Sequence, residues 1–319
     1  MIIETFLTIL FWTAFAALIL TAVLSPIETL SWWAGWSDEE IRDPEIDVAR
    51  PHASHPDDTQ TYIIYLSGVA SISGRFLLPR EQYFLKMLNE RIPTARIITD
   101  VFPYSPSGSA LTAQPRIFDQ LWRSVQKLKL QGRRSVLGGL INIRNIFQVM
   151  TSADHRYGPI YNQGTALVIE KELLRAGYQR GSGSPIAIIG YSGGGQVGVG
   201  AATFLRARLR AQIDVISIGG VIASGPGLRS IRQLHHIIGS KDPIHKLGAI
   251  FFPERWKMMA HSEWNLALRE DRIKIHPLDA MRHAGPRGYF GRPKINNHSN
   301  SERTVDMVAN ILKNTSYTD

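Results

Sequence analysis

The chain contains 319 residues, of which 44% are hydrophobic and 20% are charged, and it has no cysteine. A chain of this length can bury one large core or two modest ones. The absence of cysteine excludes disulfides, thiolate metal sites and a cysteine nucleophile.

The net charge of +9 is unevenly distributed along the chain. Residues 1–60 contain ten acidic and two basic residues, a net charge of −8, whereas residues 61–319 carry +17. A body this basic is expected to be attracted to polyanions, although a generally basic, solvated surface is an equally good interpretation. The sequence has no helix-turn-helix spacing, aromatic RNA-binding signature or zinc-finger pattern, so we expect no specific nucleic-acid partner.

Residues 6–24 form a run of nineteen residues without a charge or a proline. At about 1.5 Å per residue, a helix of this length approaches the ~30 Å hydrocarbon thickness of a bilayer. Trp32, Trp33 and Trp36 follow, where interfacial aromatic residues are common. The pattern predicts a single membrane-spanning anchor within residues 1–36.

A cleaved signal peptide is the alternative interpretation of this run. It fits less well, because no Lys or Arg precedes the apolar residues and no small-x-small cleavage site follows them. The side of the membrane that carries the body is undetermined, since Arg42 is the only nearby basic residue.

Residues 37–60 are acidic, contain three prolines and lack hydrophobic periodicity. This composition is typical of a linker or an extended arm. We therefore expect the folded body to comprise residues 61–319.

Within this body, strand-like and helix-like patterns alternate. Apolar, β-branched runs predict six strands, at residues 61–66, 96–101, 186–189, 213–221, 234–238 and 272–276. Helical periodicity predicts helices at residues 79–90, 117–130, 136–150, 164–176, 197–210 and 302–312. The predicted fold class is α/β, with a predominantly parallel sheet and helices on both faces. The two helices at 136–150 and 164–176, joined by a polar turn at 151–161, either pack on the sheet or form a cap.

The third strand ends in the motif Gly190-Tyr191-Ser192-Gly193-Gly194. Glycines two residues on either side of Ser192 allow a strand and the departing helix to approach closely, at a point where a Cβ would clash. A sharp strand-to-helix turn of this kind holds its central residue in a strained conformation, with the hydroxyl above the sheet edge. Ser192 is therefore a candidate nucleophile, although a phosphate-binding loop or a plain turn is also compatible with the glycines.

A serine nucleophile needs a base, and a group that orients the base, at the same edge of the sheet. In an open parallel sheet this edge is formed by the carboxyl ends of the strands. Asp242 satisfies this condition, because it lies in the turn directly after the predicted strand 234–238, whereas Asp214 and Asp271 lie at or before strand starts. Asp242 could instead be an Asp-Pro turn former.

Two histidines follow the last predicted strand and are candidate bases. His283 comes first, in a loop rich in glycine, and His298 directly precedes the last helix, where it could help the helix to begin. A base is normally placed soon after the last strand, so we favour His283 and keep His298 as the alternative.

Two backbone N–H groups are candidates for an oxyanion hole. Gly193 follows the nucleophile at the start of a helix, and Val69 lies in the turn after the first strand. No cofactor or metal is predicted: His235 and His236 point to opposite faces of a strand, and no other residues have ligand spacing.

These residues resemble the α/β-hydrolase superfamily over about residues 61–312. The likeness rests on the turn at 67–69, the elbow at 190–194, the turn at 239–242 and the late histidine, in the chain order Ser, Asp, His. The family's first turn commonly carries a histidine where this chain has Ser67, and the first strands of the full fold are not visible, which indicates a trimmed version.

The resemblance implies hydrolysis of an ester or a related acyl compound through an acyl-enzyme. Together with the anchor and the basic body, it predicts a membrane-anchored serine hydrolase, an esterase or lipase acting on a lipid or another ester. A peptidase or acyltransferase with the same triad, and a catalytically silent hydrolase-like domain that binds a membrane partner, are the alternatives.

Overall fold

A computed structural model describes residues 2–34, 61–74, 77–107, 136–295 and 297–314. The predicted acidic arm at 37–60 and the predicted helix at 117–130 lie outside the described residues. The domain limits expected at residues 36 and 60 stay predictions.

A six-stranded sheet, parallel throughout, forms the centre of the body. Its strands are β1 Thr61–Leu66, β2 Ala95–Ile98, β3 Ile186–Tyr191, β4 Ile213–Ile218, β5 Gln233–Gly239 and β6 Ile273–Leu278. Their spatial order is β2-β1-β3-β4-β5-β6, and every neighbouring pair is parallel. The α/β class and the parallel sheet predicted from the sequence are confirmed.

Helices flank the sheet. The longer ones are α1 Ile2–Trp33, α2 Pro79–Arg91, α3 Val136–Ala153, α4 Gly158–Arg175, α5 Gly193–Leu209 and α9 Asn300–Asn314. Three short helices, α6 Gly227–Ser230, α7 Leu247–Phe251 and α8 Glu263–Arg269, lie in the second half of the chain. A small antiparallel pair, β7 Lys294–Ile295 and β8 His298–Ser299, precedes α9.

Alternate strand residues enter separate cores on the two faces of the sheet, as the two-residue period of a strand requires. On β1, Ile64 packs in one core with residues of α4, α5 and α8, whereas Ile63 packs in the other with residues of α2 and α9. Both side chains are completely buried. Strands that are buried on both faces consist of continuous apolar residues, which explains why they can be predicted from the sequence.

The two helices α3 and α4 have different roles. Helix α4 packs on the sheet through residues such as Ile169 and Leu173. Helix α3 instead contributes Ile141 and Val149 to a third, smaller cluster, which also contains Tyr104 from the segment after β2. The predicted polar turn at 151–161 is wrong in extent, because α3 continues to Ala153 and α4 begins at Gly158.

Several other boundaries differ from the prediction. Helix α5 begins at Gly193 rather than at residue 197. The predicted start is too late because the first turn consists of glycines, which have low helix propensity but which the close packing there requires. Strands β2 and β4 end at residues 98 and 218, earlier than predicted, and β6 continues to residue 278.

Helix α1 packs against α3 and α4. Many of its large apolar side chains are exposed, including Phe6, Leu7, Phe11 and Leu20. In the part of the chain that the structure describes, no helix is both long and apolar enough to cross a bilayer. The anchor expected in residues 1–36 stays a prediction.

The contact between α4 and α5 provides a test of packing. A Cβ on Gly200 would lie 2.5 Å from Cγ of Asn162, whose amide is fixed by two hydrogen bonds with Ser152. Gly200→Ala is expected to destabilise the protein by a net ~1 kcal/mol, because an overpacking cost of about 1–3 kcal/mol exceeds the helix-propensity gain of about 1 kcal/mol. Urea unfolding measures this change.

Gly139→Ala is the matched control. Gly139 is an exposed residue of α3, and no atom among the described residues lies within 4 Å of a Cβ built on it. This substitution should raise the free energy of unfolding by up to about 1 kcal/mol. Equal stabilisation by both substitutions would contradict the tight α4–α5 contact.

Candidate active site

Ser192 lies at the sharp turn between β3 and α5. Its backbone has φ 53° and ψ −122°, a strained conformation for a residue with a side chain, and such strain costs on the order of 1–3 kcal/mol. The Ser192 N–H donates a hydrogen bond of 2.9 Å to the carbonyl of Ile218 at the end of β4. The neighbouring strand thus helps to hold the strained residue in place.

The two elbow glycines are required by close backbone approaches. A Cβ on Gly190 would lie 2.5 Å from Cα of Gly195, so β3 and the first turn of α5 touch as the sequence predicts. A Cβ on Gly194 would lie 2.5 Å from the carbonyl oxygen of Leu66 on β1. The second approach is therefore between α5 and a neighbouring strand.

The structure brings Ser192, Asp242 and His283 together. The distance from His283 Nε2 to Ser192 Oγ is 3.0 Å, and the distance from His283 Nδ1 to Asp242 Oδ2 is 2.9 Å. His298 is exposed on β8, where it pairs with Ile295, and it makes no such contact among the described residues. Of the two candidate bases, His283 is the one next to Ser192.

The loops that carry the acid and the base are joined to each other. The Lys241 N–H donates to the carbonyl of Met281 over 3.0 Å, which ties the turn after β5 to the loop after β6. These loops follow adjacent parallel strands, so their residues meet at one edge of the sheet. This shared edge is the reason why the sequence predicts Asp242 as the acid.

Tyr191, the residue before Ser192, positions the base. Its ring stacks on the imidazole of His283 with a centroid distance of 5.4 Å and an interplanar angle of 20°. Its hydroxyl donates a 2.8 Å hydrogen bond to the His283 carbonyl. Burial raises the pKa of Tyr191, so the hydroxyl stays protonated and able to donate.

Asp242 is held as a carboxylate by its hydrogen bonds. Burial would raise its pKa, but hydrogen bonds and charge interaction with His283, together with hydrogen bonds from Tyr289 and the Ile244 N–H, hold the pKa below its usual value. The Tyr289 hydroxyl donates to Oδ2 over 2.8 Å, and Ile244 N–H donates to Oδ1 over 2.8 Å. An ionised Asp242 fixes Nδ1 of His283 as a donor and leaves Nε2 to accept the serine proton.

Two residues of this arrangement were missed by sequence reasoning. Tyr289 is completely buried; its hydroxyl also accepts the Gly239 N–H over 2.7 Å. Gly219 has φ +60°, and a Cβ there would lie 2.5 Å from the Tyr289 ring and 3.0 Å from Asp242 Oδ2. A single tyrosine or glycine in a loop gives no sequence signal for such a role.

The two candidate oxyanion donors are neighbours. Val69 lies in the turn after β1, and a Cβ built on Gly193 would lie 2.9 Å from Val69 Cγ1. The same position would lie 2.5 Å from Val149 Cγ2 of α3. Gly193 thus begins α5 in a crowded space between α3 and the turn after β1.

The other titratable groups considered from the sequence lie elsewhere. His235 contacts His276 over 3.0 Å, and His236 contacts Ser217 Oγ over 3.3 Å. Asp214, at the start of β4, pairs with Arg232. No group of three or more His, Asp or Glu residues in the described ranges could hold a metal ion.

The parallel sheet, the strand-to-helix elbow and the contacts of Ser192, His283 and Asp242 fit the α/β-hydrolase fold. Chemically, the arrangement can transfer a proton from the serine hydroxyl to a neutral imidazole that a buried carboxylate orients.

No protein-family model matches the sequence, and no curated protein matches it. Among solved structures, the chain is similar to a predicted CIB-like hydrolase from Thermoplasma acidophilum, with 12% identity, a TM-score of 0.41, and coverage of 82% of this chain and 89% of that one. It is similar to an esterase from Pyrobaculum calidifontis, with 12% identity, a TM-score of 0.43, and coverage of 82% and 78%. It is also similar to LpqC, a poly(3-hydroxybutyrate) depolymerase from Bordetella parapertussis, with 10% identity, a TM-score of 0.42, and 85% coverage of both chains.

The hydrogen bond from Tyr289 makes stability depend on pH. The pKa of Asp242 is lowered in the folded state, so its stabilising contribution is present above its unfolded pKa and is lost as the pH falls through the folded pKa. Tyr289→Phe is expected to lower the free energy of unfolding by about 1–3 kcal/mol at pH 7, and by less as the pH falls from about 5 to about 2. Urea unfolding across this range measures the difference.

Tyr161→Phe is the control for this experiment. Tyr161 is also completely buried, and its hydroxyl donates to the carbonyl of Pro103 over 2.6 Å. A backbone carbonyl does not titrate. The effect of this substitution should be independent of pH. A pH-independent effect of Tyr289→Phe would show that the tyrosine does not support the charge on Asp242.

Proposed function

We propose that the protein is a serine hydrolase that cleaves carboxylic esters through an acyl-enzyme. The observation that carries the proposal is the position of His283, which lies 3.0 Å from Ser192 Oγ and 2.9 Å from Asp242 Oδ2. The strained φ of Ser192 supports it, because strained backbone conformations cluster at functional sites.

The first half of the reaction forms the acyl-enzyme. His283 Nε2 takes the proton from Ser192 Oγ as the oxygen attacks the ester carbonyl carbon. The N–H groups of Gly193 and Val69 stabilise the negative charge that develops on the carbonyl oxygen. The C–O bond to the alcohol then breaks, and His283 returns the proton to the departing oxygen.

The second half restores the serine. Water, deprotonated by His283, attacks the acyl carbon, and Ser192 leaves with the proton. Asp242 stays ionised throughout and stabilises the imidazolium that forms in each half. Its lowered pKa supports this assignment.

The proposed substrate is a lipid or another ester at a membrane surface. Supporting observations are the uncharged run at residues 6–24, the exposed apolar side chains of α1, and the charge of +17 on residues 61–319. An apolar segment beside a basic body favours binding to anionic lipid. The same features support the proposal that α1 anchors the protein in a membrane.

Fluorophosphonate labelling tests the serine and the base. The wild type should be labelled, whereas Ser192→Ala should not be labelled, because the label bonds to the serine oxygen. His283→Ala should slow labelling by about 10³-fold or more, the effect of losing a member of a triad.

His298→Ala is the matched control, a histidine that is exposed on β8. It should label at the wild-type rate. Loss of labelling in this variant alone would assign the base to His298, and an unlabelled but folded wild type would refute a serine hydrolase.

Membrane anchoring is tested with charges placed in α1. Phe11→Lys and Leu20→Lys together should move the protein from the carbonate-resistant membrane fraction to the soluble fraction, since each lysine costs about 2.5–3.5 kcal/mol at the centre of a span. Ile250→Lys with Met258→Lys, which alters exposed apolar residues outside α1, should not. A wild type that carbonate releases from membranes would contradict the anchor.

A further inference from the structure

Helix α3 contacts the neighbourhood of both candidate oxyanion donors with one face. Asn145 and Val149 are four residues apart on this helix, so their side chains are neighbours on its surface. The Asn145 amide binds the turn that carries Val69. One helical turn later, Val149 Cγ2 would lie 2.5 Å from a Cβ built on Gly193. Helix α3 therefore borders the place where the two N–H groups lie.

The direction of the Val69 N–H follows from peptide geometry. This N–H has no hydrogen-bond partner among the described residues. The carbonyl of the same peptide, that of Gly68, accepts the Ser71 N–H over 2.9 Å. The carbonyl and the N–H of a trans peptide point in opposite directions. The Val69 N–H therefore points away from Ser71, and its direction depends on where Ser71 is held.

The side chain of Asn145 holds Ser71 and Val69 relative to each other. Its Nδ2 donates to the Val69 carbonyl over 2.8 Å and to the Ser71 carbonyl over 2.9 Å. A primary amide has two N–H groups, so both are used in this turn. The two bonds fix the peptides on either side of the Ser71 N–H, which in turn holds the Gly68 carbonyl.

The orientation of the Asn145 amide is itself determined by its surroundings. Asn145 is completely buried, and its Oδ1 accepts a hydrogen bond of 3.2 Å from Nη1 of Arg144. A flipped amide would place Oδ1 against two carbonyls and Nδ2 against a guanidinium, and neither arrangement contains a hydrogen bond. The two N–H groups of the amide therefore face the turn.

The turn lies beside the nucleophile. A Cβ on Gly68 would lie 3.6 Å from Ser192 Cβ, and a Cβ on Gly193 would lie 2.9 Å from Val69 Cγ1. A small displacement of the turn would thus move the Val69 N–H relative to the oxygen of a bound acyl group. The Tyr104 hydroxyl, which donates to the Ser67 carbonyl over 2.6 Å, holds the start of the turn but does not contact Ser71 in that bond.

We propose that Asn145 is a positioning residue for the oxyanion hole: by binding the carbonyls of Val69 and Ser71, it aims the Val69 N–H at the developing negative charge. The assignment rests on the proposed function, in which Val69 is an oxyanion donor. A different role, in which the amide only satisfies two buried carbonyls, would affect stability alone. The two roles differ in their effect on the reaction.

The test compares two labels that differ in one atom, a phosphonofluoridate with a P=O group and its thio analogue with a P=S group. With either label, Ser192 Oγ bonds to phosphorus, the proton passes to His283, and fluoride leaves. Negative charge develops on oxygen in the first label and on sulfur in the second, and sulfur is a weak hydrogen-bond acceptor. The ratio of the two second-order labelling rates therefore reports on the oxyanion hole.

Asn145→Ala should lower this oxygen-to-sulfur ratio by about tenfold relative to the wild type, a fraction of the 10²–10³-fold effect of deleting an oxyanion donor. The oxygen label slows because the Val69 N–H is no longer aimed, whereas the sulfur label, which gains little from that N–H, keeps nearly its wild-type rate. Equal slowing of both labels would mean that the substitution disturbs the serine or the folded population, and would overturn the assignment.

Asn162→Ala is the matched control. Asn162 is a buried asparagine of α4 whose amide makes two hydrogen bonds with Ser152, away from the turn after β1. Its ratio should equal that of the wild type, even if it lowers stability as much as Asn145→Ala does. A wild type that the oxygen label does not modify refutes the serine hydrolase, whereas normal labelling with an unchanged ratio in Asn145→Ala refutes only the role of Asn145.

A second variant keeps the proposal testable if Asn145→Ala does not fold. Asn145→Asp preserves the size of the side chain, but its carboxyl donates one hydrogen bond at most where the amide donates two. The oxygen-to-sulfur ratio should then fall by about threefold or more, because at least one of the two carbonyls is released. A folded Asn145→Asp protein with the wild-type ratio would overturn the assignment.

Discussion

The close approach of α5 to the strands on both sides of β3 is the constraint on which the rest of the site depends. Gly194 contacts the end of β1, and the Ser192 N–H binds the end of β4. A larger residue at position 194 would clash with the end of β1, and the serine that binds β4 has a strained backbone. The elbow therefore fixes the nucleophile and also the places where the neighbouring turns begin.

Buried tyrosines around the site fix the positions of the other residues by hydrogen bonds. The Tyr191 hydroxyl donates to the carbonyl of the base, His283, and the Tyr289 hydroxyl donates to the carboxylate of Asp242. The Tyr104 hydroxyl donates to the Ser67 carbonyl, in the turn that carries Val69. A tyrosine suits these positions, because its ring fills the core while its hydroxyl satisfies a buried polar group. The polar network is thus anchored in the same cores that stabilise the sheet.

Much of this arrangement could be predicted from the sequence, for identifiable reasons. The strands were recognisable because burial on both faces makes them continuous apolar runs, and Asp242 and His283 could be selected because parallel strands end at one edge. Tyr289 could not be found, since it acts on a residue that lies 47 positions away in the sequence. The start of α5 was misplaced because tertiary contacts override the poor helix propensity of its glycines.

The position of His283 after an edge strand affects how the catalytic arrangement is kept together. Ser192 and His283 are 91 positions apart, and His283 follows β6, which forms one edge of the described sheet. Edge strands open locally more readily than central ones, since they are paired on one side only. Local fraying of β6 would separate the base from the serine while the central strands remained folded, so the catalytic arrangement depends on the pairing of an edge strand as well as on the stability of the whole sheet.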